Sequence, residues 1–234
     1  MKWNKKFNYT SLNRIPVNGS RHYAVGQQRL PSVSTILSKT KSEEDKAALA
    51  SWIARVGEKE SERIKNAASA NGTKMHSLIE RYLKNRENLE LLEIEEETGL
   101  AKQMADKIIS EGIEGKVNEV HGVECPIYYD SPKGWAGTAD LVATYESQLS
   151  ICDMKQKNSI MKESYSSYHE YMTQIAGYSL AHDKLFGSTI TQGVILLATT
   201  DLVFQIFRID HEKLKEYQQK FLDRVEKYYY LISK

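Results

Sequence analysis

Three strand-like segments in close succession, at residues 117–129, 137–143 and 149–155, constrain this chain more than anything else in it. Each is rich in β-branched and apolar residues, and a polar break at Tyr145-Glu146-Ser147-Gln148 separates the last two. If those two pair as a hairpin, Asp140 lies beside Asp153. Side chains on a strand alternate, so Asp153 and Lys155 share one face while Cys152 and Met154 turn to the packed side. Two carboxylates and an ammonium then converge. Adjacent carboxylates repel and raise each other's pKa unless a cation sits between them. A hard divalent cation held by oxygen ligands resolves that conflict. The plainer alternative is that Asp140 ends a strand and that Asp153 and Lys155 form a surface pair. Strict alternation in the first segment puts Val117, Glu119, His121, Val123, Cys125, Ile127 and Tyr129 on one face. Glu124 then falls on the other with Asn118, Val120 and Tyr128.

The chain before these strands is helical in pattern. Pro31 and Ser32 introduce Val33, Ile36 and Leu37 at helical spacing. Residues 43–55 begin with acids, which suits a helix dipole, and residues 58–70 continue after Gly57. Asn71-Gly72-Thr73 reads as an interruption, with Thr73 capping a helix over 74–83 that carries His76 and Glu80 on one face. A further helix is expected over 100–111. After the strands come a helix over 165–186 closed by Gly187, strands over 191–199 and 203–209, and a last helix capped by Asp210. With no repeat and no long linker, the 234 residues read as one α/β domain. Its parts are a basic, flexible arm over 1–20, a helical half over 32–115, and a strand-rich half over 116–234.

Composition sets further limits. An apolar content of 41% and a charged content of 27% fit a soluble globular domain. No apolar run approaches the roughly 18 residues of a membrane span, and Met1-Lys2-Trp3-Asn4-Lys5-Lys6 is no secretory signal. The net charge of +1 conceals an asymmetry. Residues 1–42 hold Lys2, Lys5, Lys6, Arg14, Arg21, Arg29, Lys39 and Lys41 and no acid, whereas the run 87–97 holds six glutamates and no base. A basic stretch interleaved with Trp3, Phe7, Tyr9 and Tyr23 suits a polyanion with stackable bases, and a solvated tail is the alternative. The two cysteines, Cys125 and Cys152, read as buried free thiols and cannot supply the four thiolates of an iron–sulfur cluster.

Taken in order, several segments carry a family resemblance. They are Arg29-Leu30-Pro31-Ser32-Val33-Ser34-Thr35-Ile36-Leu37, Trp52-Ile53-Ala54-Arg55-Val56-Gly57, Gly72-Thr73-Lys74-Met75-His76-Ser77-Leu78-Ile79-Glu80, Gly137-Thr138-Ala139-Asp140, Asp153-Met154-Lys155 and Gln174-Ile175-Ala176-Gly177-Tyr178. Together the chain resembles a PD-(D/E)XK nuclease of the RecB-like exonuclease group. Within that group it is most similar to the mitochondrial genome maintenance exonucleases and their bacteriophage relatives. The resemblance implies a restriction-endonuclease-like αβββαβ core, with a central mixed sheet flanked by helices and an N-terminal helical arch. It implies a catalytic set of Asp140, Asp153 and Lys155, and a metal held by His76, Asp140, Asp153 and the carbonyl of Met154, with Glu124 as a further acidic candidate. Gln174 and Tyr178 match its Gln-x-x-x-Tyr motif, and they share a helical face.

The cofactor implied is Mg²⁺, with Mn²⁺ able to substitute, and no iron–sulfur cluster. The partner implied is DNA, single-stranded with a free end, alongside other replication, repair or recombination proteins and no membrane. Arg55, Trp52 and Lys74 in the helical half are candidates to contact that strand. Lys155 can orient or deprotonate a water, or donate to the phosphate. The small hydroxyl residue frequent after the lysine in this family is replaced here by Gln156, and a mitochondrial address is missing. The expectation is therefore a bacterial protein, or a phage protein in the host cytoplasm. A structure-selective endonuclease and a non-catalytic DNA-binding protein of the same fold are the alternatives.

Overall fold

The computed structural model describes residues 1–88 and 98–234. Its centre is a six-stranded mixed sheet of β1 (Lys2–Trp3), β5 (Val117–Tyr129), β6 (Trp135–Tyr145), β7 (Gln148–Lys157), β8 (Gln192–Thr199) and β9 (Phe204–Ile209), in that spatial order. β1 pairs parallel with β5, and β5, β6 and β7 pair antiparallel with one another. β7 pairs parallel with β8 across a helical crossover, and β9 closes antiparallel. The turn between β6 and β7 takes two residues, Glu146 and Ser147, both at positive φ (46° and 70°). That backbone matches the twist of a tight hairpin.

Helices cover both faces. Along β8, Ile195 and Leu197 turn to one side with Ile151 of β7, packing on α1 (Val33–Lys39), α5 (Ser166–Phe186) and α6 (His211–Ile232). Val194, Leu196 and Ala198 turn to the other with Cys152 and Met154. There they meet the second half of α3 (Glu58–Asn88), α4 (Leu100–Lys107) and a π-helical turn (Ile108–Ile113). β8 is buried along its whole length, as expected of a strand enclosed by helices. Cys125 and Cys152 are buried in these two opposite layers, so the sheet itself separates the thiols. Ser32 caps α1 by accepting from the Thr35 amide, and Asp210 caps α6 by accepting from the Lys213 amide.

The fold departs from the sequence-based expectation in four places. Residues 1–20 are not a loose arm. Trp3 donates its indole N–H to the Leu83 carbonyl at 2.9 Å, β1 pairs with β5, and Phe7 is buried against His182 and Phe186. A second sheet, β2 (Asn13–Val17), β3 (Ser20–Val25) and β4 (Gln28–Pro31), accounts for residues where one short strand was expected. Helix α3 runs unbroken through Asn71-Gly72-Thr73. Gly72 is tolerated because Gln156 lies against it and donates to the Ala68 carbonyl at 2.6 Å. Finally, β5 does not alternate strictly. Register shifts between Val117 and Glu119 and between Val120 and Gly122 bring Val117, Val120 and Val123 into one layer and Cys125 and Ile127 into the other. The acidic run expected as an exposed turn lies, from residue 89 to 97, outside the described residues.

Helix α2 (Glu43–Val56) buries no side chain. It is tied at its start, where Ser166 at the head of α5 donates to Asp45 at 2.6 Å, and it passes into α3 through Gly57, whose φ of 86° a residue with a Cβ rarely adopts.

The buried N-terminal segment has a measurable consequence. His182 lies between the Tyr9 hydroxyl (2.9 Å) and the Ser188 hydroxyl (2.7 Å). Burial pushes its pKa down to about 4, with His121 and Lys6 adding to the effect. The neutral native form is matched in the unfolded chain above the ordinary value of 6.5, so this contribution is present there and is lost as pH falls toward 4. Between pH 7 and pH 4.5 wild type should therefore lose about 2–3 kcal/mol more stability than His182→Gln in urea unfolding. Equal losses would show that His182 is not the acid-sensitive group.

Candidate metal centre

Each of the three antiparallel strands contributes one acid. The pairs Val123↔Leu141 and Cys125↔Ala139 place Glu124 opposite Asp140, and the pair Leu141↔Cys152, continued one step, places Asp140 opposite Asp153. A row of carboxylates thus crosses three neighbouring strands. Like charges facing each other across strands are destabilising, so the surroundings must supply compensation. Glu124 also sits at a φ of 49° within a strand, which costs a residue with a Cβ about 1 kcal/mol or more. Burial pushes its carboxyl up to about 6, Asp140 adds to this, and His76 opposes it.

His76 reaches the row from α3. Its Nε2 lies 3.0 Å from the Met154 carbonyl, and its Nδ1 lies 3.6 Å from Asp140 Oδ2. A carbonyl only accepts, so Nε2 carries a proton, and Nδ1 is turned toward the acids. The Met154 amide donates to Asp140 Oδ2 at 2.8 Å, so the backbone of one residue braces both side chains. One ligand atom from each of His76, Glu124 and Asp140 lies within 4.8 Å of the others. Asp153 stands beside this group and is not part of it. Its Oδ2 is 2.6 Å from Lys155 Nζ, and among the described residues Oδ1 has no hydrogen-bond donor although the side chain is only 1% exposed. Burial raises the Asp153 pKa and the Lys155 ammonium opposes that shift.

These residues fit a divalent cation. An imidazole nitrogen with two carboxylates is a donor set for a divalent cation, the Met154 carbonyl adjoins it, and the orphaned Asp153 oxygen is a buried acceptor that a cation would satisfy.

Lys155 is held from two sides. Burial alone would lower its pKa, but the carboxylates of Asp153 and Asp140 outweigh it and hold the pKa above the ordinary value. Its Nζ donates to Gln174 Oε1 at 3.2 Å, and Gln174 Nε2 donates to the Tyr178 hydroxyl at 3.0 Å, one turn further along α5. The ammonium also lies 4.9 Å from the centre of the Tyr171 ring. Tyr178 fits only because residue 137 is glycine, where a Cβ would come within 2.6 Å of Tyr178 Cε1.

A cavity of about 200 Å³ opens on this constellation. His76, Glu124, Asp140, Lys155, Gln174 and Tyr178 line it from below, and Arg14, Arg21 and Tyr23 of the small sheet line it from above. Of the remaining candidates, Trp52, Arg55 and Lys74 line neither this cavity nor the adjoining one against α3. Trp52 instead has Lys65 over its ring at 5.7 Å. Sequence reasoning missed Arg14, Arg21 and Tyr171 as neighbours of the acids. For the two arginines the only signal was a basic, aromatic N-terminal stretch that carried no position, and Tyr171 stood among tyrosines three apart that read as ordinary packing.

No family description matches the chain, and neither does any curated protein. Among solved structures it is similar to a putative exonuclease from Eubacterium rectale, with 18% identity over 68% of this chain and a TM-score of 0.44. The chain covers 63% of that protein's length. A second likeness, to the protein SSO0001, has 11% identity over 43% of this chain and 49% of the other, with a TM-score of 0.29.

Proposed function

We propose that this chain is a divalent-metal-dependent deoxyribonuclease of the RecB-like exonuclease group, which hydrolyses linear single-stranded DNA from a free end. The observation that carries this reading is the row of Glu124, Asp140 and Asp153 on three adjacent strands, with His76 at one end and a half-buried Lys155 ammonium at the other. So many acids in one place need a cation, and the ammonium supports phosphate chemistry in preference to a purely structural site.

In this reading His76, Glu124, Asp140 and the Met154 carbonyl would hold Mg²⁺ or Mn²⁺, with Asp153 beside them. A cation bound there would supply Lewis acidity toward water and a phosphate oxygen. Everything else falls to the chain. Asp153 keeps Lys155 charged and aimed, Gln174 and Tyr178 fix its reach, and the ammonium donates to the phosphate oxygens as negative charge gathers there. Helix α2, which has no buried side chain and is anchored beside α5, supports an arch under which one strand passes.

The test is a digest of end-labelled DNA. Linear single strands should be degraded with Mg²⁺ or Mn²⁺, blunt duplex slowly, closed circular single strands not at all, and EDTA should stop all cutting. His76→Ala should lose Mg²⁺-supported activity more than Mn²⁺-supported activity, since one ligand fewer penalises the ion that tolerates the least distortion. Rapid cutting of circles would assign an endonuclease. Binding without cutting under every metal would assign a non-catalytic DNA-binding protein.

A further inference from the structure

The small sheet β2–β4 has no part in the reaction just described, yet it forms the roof of the cavity. Its register pairs Arg14 with Tyr23 and Pro16 with Arg21. Facing residues and those two apart share a side of a sheet, so Arg14, Arg21 and Tyr23 all project from the same surface. That surface looks onto the acids, because Arg14 and Arg21 line the cavity that contains His76, Glu124, Asp140 and Lys155. Both also line the adjoining cavity of about 390 Å³ against Gly72, Thr73 and Ser77 of α3. The roof is fixed in place. Tyr23 is buried, with its hydroxyl 3.3 Å from Thr138 Oγ1, and the Arg21 carbonyl accepts from the Ser32 amide and the Thr35 hydroxyl at the head of α1.

The two guanidiniums themselves are exposed and lightly held. Arg14 Nη2 makes one long contact of 3.4 Å with Thr138 Oγ1 and lies over the Tyr23 ring. Neither arginine has an ion-pair partner among the described residues, although the carboxylates of Glu124 and Asp140 line the same cavity and Asp153 lies just behind them against Lys155. Charge balance explains what they await. With a divalent cation in place, that cation and Lys155 together match Glu124, Asp140 and Asp153, and both guanidiniums are left over for an added anion. Planar, forked donors on a rigid hairpin are suited to phosphate.

We propose that Arg14 and Arg21 grip the backbone phosphates of the substrate strand and press it onto the metal centre. They are substrate-binding groups supplied by a sheet outside the nuclease core. This rests on the function proposed above and adds the residues that hold the strand.

The test measures binding of a labelled single-stranded oligonucleotide by fluorescence anisotropy, with Ca²⁺ replacing Mg²⁺ to limit cutting, across a series of salt concentrations. Wild type is compared with Arg14→Gln, Arg21→Gln, the double variant, and Arg14→Lys with Arg21→Lys. Each phosphate contact removed should lower the slope of log Kd against log salt by about 0.7, and the double variant should bind about tenfold more weakly at 0.1 M salt. The lysine pair should recover the slope and only part of the affinity, because an ammonium keeps the charge without the fork. With Mg²⁺ the double variant should raise KM far more than it lowers kcat. An unchanged slope in the double variant overturns the proposal, and so does a fall in melting temperature without a change in slope, which would make the arginines counter-ions of Glu124. If wild type neither binds nor cuts DNA, the functional reading itself fails, whatever the arginines do.

Discussion

On the proposed function, Lys155→Ala should abolish hydrolysis, lowering kcat by about a thousandfold or more, while the protein still folds and still binds DNA. The ammonium is only 18% exposed, and Asp153, Gln174 and the Tyr171 ring fix its place, so no neighbouring cation can take over its position. Binding draws on many phosphate contacts, and losing one cation removes a small share of them. The fold survives because the orphaned Asp153 carboxylate can take up a proton, its pKa already being raised by burial. Lys155→Arg should not restore the rate, since a guanidinium cannot deliver a point charge to the same spot. The measurement is single-turnover cleavage of a labelled strand together with binding by anisotropy. Cleavage near the wild-type rate would remove Lys155 from the chemistry.

Asp153→Ala should be the more damaging change to the protein itself. It leaves the half-buried Lys155 ammonium without its partner at 2.6 Å, and breaking one side of a buried pair typically costs about 3–5 kcal/mol. Lys155 retains some exposure and can turn toward water, so a loss near 3 kcal/mol is expected in urea unfolding. Replacing both residues, as Asp153→Ala with Lys155→Met, removes the unpaired charge and should recover most of that stability without recovering any activity. The double variant thus separates a residue that holds up the fold from one that also serves the reaction. If Asp153→Ala is as stable as wild type, the pair is not buried in solution and the carboxylate is a surface group.

Both variants probe a pairing that was legible beforehand. Strand periodicity alone put Asp153 and Lys155 on one face and Cys152 and Met154 on the other, because alternation is a property of the backbone. The hairpin at Glu146-Ser147 was visible as a polar break between two apolar runs, and it brought Asp140 opposite Asp153. Helix ends were equally local. Gly187 adopts the left-handed conformation after α5, and Asp210 caps α6, each as its residue type favours. Gln174 and Tyr178 shared a face from their spacing, and the fold joins them in a hydrogen bond.

Other features depend on parts of the chain that meet only in the folded protein. Whether Glu124 faces Asp140 could not be counted from the sequence, since two register shifts in β5 and a positive φ at Glu124 reset the alternation. Asn71-Gly72-Thr73 reads as a break because glycine weakens an isolated helix. Contact with Gln156, more than 80 positions along the chain, keeps α3 continuous there. The N-terminal stretch announced its charge and its aromatic rings but not their destination. Pairing of β2, β3 and β4 and the docking of Tyr23 on Thr138 carry Arg14 and Arg21 over the acids. Sequence by itself determined which residues alternate, cap and carry charge, because those properties act over a few neighbouring positions. The tertiary structure decided which of those charges face one another, because strand register and sheet docking are set by contacts between separate elements, as where Tyr23 docks on Thr138, 115 positions further along the chain.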